Sequence, residues 1–65
     1  MKIYIARDSN NTLWFHTLKP QLEHHPKRDL DYWISRGDYY EVDQDFFPEV
    51  TFENSPMEVE LVIKK

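Results

Sequence analysis

The sequence of 65 residues contains no cysteine and only one glycine, Gly37. Without cysteine, the chain can form neither a disulfide nor a zinc site built on thiolates. A chain this short buries only about 60% of the surface that its unfolded form exposes. Its stability must therefore come from apolar side chains or from association with a partner. With a single glycine, its turns must depend on Asn, Asp, Ser and Pro.

Long apolar runs are also missing from the sequence. No stretch approaches the ~18 apolar residues of a membrane-spanning helix. The opening segment MKIYIARD is interrupted by Arg7 before it could supply the apolar part of a signal peptide. The lack of cysteine is in keeping with a reducing compartment. We therefore expect a cytoplasmic protein without a membrane contact.

Positive charge is nearly absent from the second half of the chain. The net charge is −4, but residues 1–36 carry +2 and residues 37–65 carry −6. No Lys or Arg occurs between Gly37 and Ile63. Nucleic-acid binding requires a basic surface, so this distribution argues against it. The same distribution favours attraction to a basic protein.

Most of the recognisable patterns in the sequence predict β-strands. Residues 2–6 (KIYIA) and 12–17 (TLWFHT) are β-branched and aromatic, and the turn residues between them predict a β-hairpin. Its inner face would carry Ile3, Ile5, Leu13 and Phe15, and its outer face Tyr4, Trp14 and His16. Residues 57–63 (MEVELVI) alternate most clearly, with the odd-numbered side chains facing inward.

The middle of the chain is harder to assign. Residues 18–27 contain two prolines and no period, which predicts an irregular crossing loop. Residues 28–36 fit either a helix closed by Gly37 or a strand. We favour strand–turn–strand, with residues 31–35 pairing with residues 38–43 around Arg36-Gly37, where the glycine would supply a positive φ.

Residues 44–48 predict one short helical turn, capped by Asp43 and stopped by Pro48, that places Phe46 or Phe47 over the open side of the sheet. The expected fold is a single mainly β domain of residues 1–65, with an α+β arrangement as the alternative. It would be a small antiparallel sheet or partly open barrel of four to five short strands. Its core would be rich in aromatic side chains.

Two segments, MKIYIARD at the start and FFPEVTFENSPMEVEL later, resemble a group of small uncharacterised proteins from bacterial genomes and their prophage-like elements. The resemblance covers about half of the chain. It implies an accessory or mobile-element gene but no activity and no functional residue.

Candidates for metal or acid–base chemistry are weak. His24 and His25 are adjacent on the predicted loop, and His16 lies upstream, without the spacing of a helical histidine pair or a zinc finger. The acidic residues after Gly37 would need a cleft to shift their pKa values. We therefore expect no cofactor and no metal, and no enzyme.

Ten of the 65 residues are aromatic, more than one face of a small sheet can bury. Exposed aromatic clusters mark interfaces. The favoured hypothesis is a non-enzymatic protein-interaction module that binds a protein partner or a second copy of itself. The alternatives are an acidic decoy that inhibits a basic nucleic-acid-handling protein and a small metal binder or enzyme. The candidate partner-binding residues are Trp14, Trp33, Tyr39, Glu41, Asp43 and Asp45.

Overall fold

The computed structural model describes residues 1–64, and this part of the chain contains six β-strands and no helix. The mainly β prediction is confirmed, with six strands in place of the expected four or five. The strands are β1 (Lys2–Arg7), β2 (Leu13–His16), β3 (Gln21–His25), β4 (Leu30–Ile34), β5 (Tyr39–Val42) and β6 (Met57–Glu60).

The strands form two separate antiparallel sheets rather than one partly open barrel. The larger sheet has the order β5-β2-β1-β6, and the smaller is the β3–β4 hairpin. The predicted β1–β2 hairpin is confirmed, with Ile5 opposite Phe15. Its tight loop is closed by a bond from the Asp8 amide to the Thr12 carbonyl, and Asn11 adopts φ 78°. Asn tolerates this left-handed conformation better than most residues, which is why it suits the position.

The core lies on one face of the larger sheet. Ile5, Leu13 and Val50 form its fully buried cluster. Four partly buried side chains pack against this cluster: Phe15, Val42, Met57 and Val59. The predicted inner face of the first hairpin is therefore confirmed. The expected aromatic core is wrong, because none of the ten aromatic residues is fully buried and the buried side chains are mostly aliphatic.

The smaller sheet contradicts two predictions. Residues 21–25 form β3 rather than a loop, and β4 pairs with β3, not with β5. β5 pairs with β2 instead, placing Tyr39 opposite His16. Strand β3 is almost wholly exposed, so its sequence carries no apolar alternation by which it could be recognised. It is held by the backbone ladder to β4.

Gly37 has a role different from the one predicted. It has no positive φ. A Cβ at this position would collide with the Thr17 hydroxyl oxygen and lie 2.9 Å from Leu18 Cγ. The glycine therefore allows the chain leading into β5 to pass close to the end of β2, where the Thr17 amide donates to the Asp38 carbonyl at 3.0 Å. This close approach pairs β5 with β2.

The predicted helical turn at residues 44–48 is wrong. Two tight turns occupy this stretch, closed by bonds from the Phe46 amide to the Asp43 carbonyl and from the Val50 amide to the Phe47 carbonyl. Val50, rather than either phenylalanine, fills the core. Phe46 and Phe47 remain exposed, although the Phe47 ring lies 5.8 Å from that of Phe15.

Strand β6 is shorter than its alternating sequence suggests. Met57 and Val59 face the core as predicted. The strand ends at Glu60, and Leu61 and Ile63, predicted to face inward, are exposed. Within residues 1–64 nothing covers the sheet beyond Val59, so the apolar side chains that continue the alternation stay exposed.

Candidate functional site

Three of the six predicted partner-binding residues meet at one cavity. Trp14 on β2, Trp33 on β4 and Tyr39 on β5 line a cavity of about 150 Å³ between the two sheets. The other residues that line it are Asp8, His16, Tyr32 and Ile34. We call this set of seven residues the aromatic cleft. It lies on the face of the larger sheet opposite the core, where the side chains of Trp14, His16 and Tyr39 share one side of the ladder.

Asp8 joins the two sheets at the cleft. One carboxylate oxygen accepts the Trp14 indole N–H at 3.0 Å, and the other accepts the Trp33 backbone amide at 2.8 Å. Next to it, the Ser9 amide donates to the Asp31 carbonyl at 2.9 Å. Burial raises the pKa of the Asp8 carboxyl, and its hydrogen bonds to Trp33 and Trp14 oppose that rise. Asp8 is thus a buried carboxylate with part of its hydrogen-bonding capacity free.

His16 is the second buried polar group of the cleft, with only 2% of its surface exposed. Its Nδ1 lies 3.0 Å from the Ser35 hydroxyl oxygen, and its buried Nε2 has no hydrogen-bond partner among the described residues. Burial lowers the pKa of the imidazole, which keeps it neutral near pH 7. A buried polar atom without a partner is uncommon, and His16 lines the cavity in which a partner could lie.

The aromatic rings line the cleft from its interior to its solvent-exposed end. The Trp14 and Tyr39 rings meet edge to face, with centroids 5.7 Å apart and planes at 72°. Tyr39 also lies 6.1 Å from the His16 ring. Tyr39 is 55% exposed, so it forms the outer lip, whereas Trp14 and Trp33 are half-buried and form the walls.

The three acidic candidates do not gather at one place. Glu41 lies directly opposite Trp14 across the β2–β5 ladder and therefore flanks the aromatic cleft. Asp43 uses its carboxylate to accept the Asp45 amide at 2.9 Å, which stabilises the turn after β5. Asp45 lines a different groove, beside Arg7. The structure thus brings one of the three to the cleft and leaves two outside it.

Two charged residues were not predicted from the sequence: Asp8 at the aromatic cleft, described above, and Arg7 at the neighbouring groove. Arg7 is buried, and its guanidinium donates to five backbone carbonyls and one side-chain oxygen. Its partners are the carbonyls of Asn11, Gln44, Phe46, Phe47 and Val50, and the Asn11 Oδ1 atom. Every nitrogen of the guanidinium donates to an oxygen of the protein, so Arg7 serves the fold rather than an anion in the open groove of about 440 Å³ beside it.

The histidines do not assemble a metal site. His24 pairs with Asp31 on the exposed hairpin, with Nδ1 and the carboxylate oxygen 2.6 Å apart. Across residues 1–64, no group of three or more His, Asp or Glu side chains is positioned to hold a metal ion. The Ser35–His16 pair does not extend to a hydrolase triad, since Asp8 is bonded to the two tryptophans and not to His16 Nε2.

Comparison with protein-family models, with curated proteins and with solved structures finds no significant match for this chain. The described residues contain no helix long and apolar enough to cross a membrane.

Proposed function

We propose that this chain is a non-enzymatic interaction module that binds a basic segment of a protein partner, with the aromatic cleft receiving one cationic side chain. The observation that carries this proposal is a carboxylate, Asp8, at a cavity lined by Trp14, Trp33 and Tyr39. Aromatic faces attract ammonium and guanidinium groups, most strongly where water is excluded. A cytoplasmic setting and an accessory or mobile-element gene stay predictions from the sequence.

The charges around the cleft favour a cation over an anion. Asp8 is the charged residue in its lining, and Glu41 adds a second carboxylate at its flank. His16 does not counter them, because burial lowers the pKa of its ring and leaves it neutral. If His16 Nδ1–H donates to Ser35, Nε2 is an acceptor that an incoming N–H can satisfy.

The size of the cleft favours a side chain over a free metabolite. Pockets for drug-sized ligands measure roughly 300–1,000 Å³, whereas this cavity measures about 150 Å³. That volume accommodates the head group of a lysine or arginine while the rest of a peptide stays outside. The exposed Tyr39 ring lies at the outer lip, where the stem of such a side chain would pack.

Titration of ¹⁵N-labelled protein with tetralysine and tetraarginine peptides tests the proposal, with tetraglutamate as the negative control. The two tryptophans give two indole N–H signals, of which the Trp14 signal reports on the bond to Asp8. We expect the cationic peptides to shift both signals, and the shifts to diminish with added salt. Indole signals that do not move with either cationic peptide would contradict the proposal.

Tyr39 and Tyr40 provide a matched pair of variants. They are adjacent on β5 and 55% and 60% exposed, but their side chains lie on opposite faces of the sheet. We expect Tyr39→Ala to weaken peptide binding several-fold, in keeping with the ~0.5–2 kcal/mol of a cation–π contact. Tyr40→Ala should leave the affinity unchanged. Equal losses in both variants would mean that binding does not use the cleft.

The acidic-decoy alternative predicts a different pattern. A decoy would attract a basic protein through its acidic surface as a whole, so Asp43→Asn combined with Asp45→Asn should weaken binding as strongly as Tyr39→Ala. Binding in the cleft predicts a small effect of the double variant, since both residues lie outside it. Comparing the two variants against tetralysine separates the hypotheses.

A further inference from the structure

We infer that strand β6 is a self-association edge, through which two copies of the chain pair antiparallel into one continuous sheet. Strand β6 lies at the outside of the larger sheet, with β1 on its inner side. It is followed by Leu61, Val62 and Ile63, which are 50%, 80% and 88% exposed. An edge strand that continues into exposed apolar residues offers both hydrogen bonds and apolar contact to another strand.

The free hydrogen-bonding groups of this edge can be assigned from the ladder. Beyond β6, the Leu61 amide donates to the Met1 carbonyl at 2.7 Å, so the ladder with the N-terminal segment continues through Leu61. In an antiparallel ladder, alternate residues direct their backbone groups to opposite sides. Since those of Leu61 point toward β1, those of Glu60 and Val62 point outward and are available to a second strand.

The occupant that fits this edge is a second copy, because the sequence is self-complementary about Leu61. Antiparallel pairing centred there places Glu58 opposite Lys64 of the other copy, twice per dimer. It also places Val59 opposite Ile63, Leu61 opposite itself and Glu60 opposite Val62. Opposite charges and apolar pairs directly across a ladder both stabilise it. This register gives the apolar residues that follow β6 a partner surface that the single chain does not provide.

Two neighbouring registers place carboxylates opposite one another, and a third changes the partner of Lys64. Centring the pair on Glu60 places that carboxylate opposite itself, and centring it on Val59 places Glu58 opposite Glu60. Centring on Val62 sets Glu60, rather than Glu58, opposite Lys64, so it predicts that charge exchange with Lys64 works at Glu60 and not at Glu58. Among the described residues of the single chain, Glu58 has only an exposed ion pair with Lys2, 3.4 Å apart, which contributes little.

Charge exchange within the full chain tests the register. Sedimentation equilibrium over a range of concentrations should show a dimer for the wild type. Lys64→Glu should raise the dissociation constant on the order of tenfold, because two favourable pairs become repulsive. Glu58→Lys should do the same, and the double variant Glu58→Lys, Lys64→Glu should restore the wild-type value. A general loss of stability would not be restored by the second substitution.

Val62→Pro is an independent test that does not depend on charge. The Val62 N–H points away from β1, so proline there removes a bond to the second copy without removing one within the chain. We expect a folded monomer, with dispersed amide signals and no concentration dependence. A wild type that is monomeric at every concentration, or a double variant that stays as weak as either single variant, would overturn the inference. Neither result would bear on the aromatic cleft, which peptide titration tests separately.

Discussion

Arg7 and Asp8 are adjacent and equally buried, yet their surroundings differ in one decisive respect. Every nitrogen of the Arg7 guanidinium donates to an oxygen of the protein. Asp8 accepts two hydrogen bonds and lines a cavity in which His16 Nε2 has no partner within residues 1–64. A buried charge that is fully bonded stabilises the fold, whereas one with capacity left, beside an empty volume, is available to a ligand.

The hydrogen bonds of Arg7 hold residues 43–50 in place. Two of its bonds hold the carbonyls of Phe46 and Phe47, and Phe47 has a strained φ of 52°. Such a conformation persists only where the surroundings impose it. Arg7 also bonds the Val50 carbonyl at 2.6 Å, next to the side chain that completes the core. One side chain therefore replaces the regular secondary structure that residues 43–50 lack.

The largest expected effect comes from removing this side chain. Arg7→Met leaves five backbone carbonyls without their donor, and we expect a loss of about 3–5 kcal/mol in the free energy of unfolding. A domain of this length has roughly 3–10 kcal/mol in total, so the variant should lose a large part of its stability. Urea denaturation followed by tryptophan fluorescence measures this. Arg36→Met, at an exposed arginine, is the matched control and should change stability by less than about 0.5 kcal/mol.

The next prediction concerns the pH dependence of stability, to which the aromatic cleft contributes through His16. Because burial lowers the pKa of His16 below 6.5, the unfolded chain binds this proton more readily than the folded chain. Stability should therefore fall as the pH drops below 6.5, by at most about 1.4 kcal/mol per pH unit from this one group. His16→Gln should remove that part of the dependence. A pH profile of unfolding that is identical in the variant would show that His16 is not sheltered in the folded state.

The smallest expected effect on stability is that of Asp8→Asn. The amide must turn its NH₂ group toward one of the two donors, so we expect a loss of about 1 kcal/mol. Since burial raises the pKa of Asp8 above 3.8, the wild type should lose stability relative to the variant as the pH rises from 3.8 through the folded pKa. Binding of tetralysine should be lost although the fold is retained. If Asp8→Asn lowers the free energy of unfolding as much as Arg7→Met does, the two residues do not differ in their contribution to stability.

The cleft could be predicted only in part. The prediction of Trp14, Trp33 and Tyr39 follows from the number of aromatic side chains. One face of the sheet cannot bury them all, so some must be exposed on the second face or at an edge. Asp8 was not found, since Asp-Ser-Asn-Asn is typical of a turn and its carboxylate serves a partner, Trp33, that lies 25 positions along the chain. Glu41 was grouped with Asp43 and Asp45 by sequence proximity, which says nothing about the face on which each lies.

Strands β1, β2 and β6 and the Asn-containing turn were determined by the sequence alone, because alternation and turn propensity act between near neighbours. The asymmetry of charge about Gly37 is likewise a property of the sequence. Only the tertiary structure decided that β3 exists, that β5 pairs with β2, and that Arg7 and Asp8 are buried. Burial of a charge depends on partners brought from far along the chain, such as the Val50 carbonyl, 43 positions from Arg7. Local patterns carry no record of such partners.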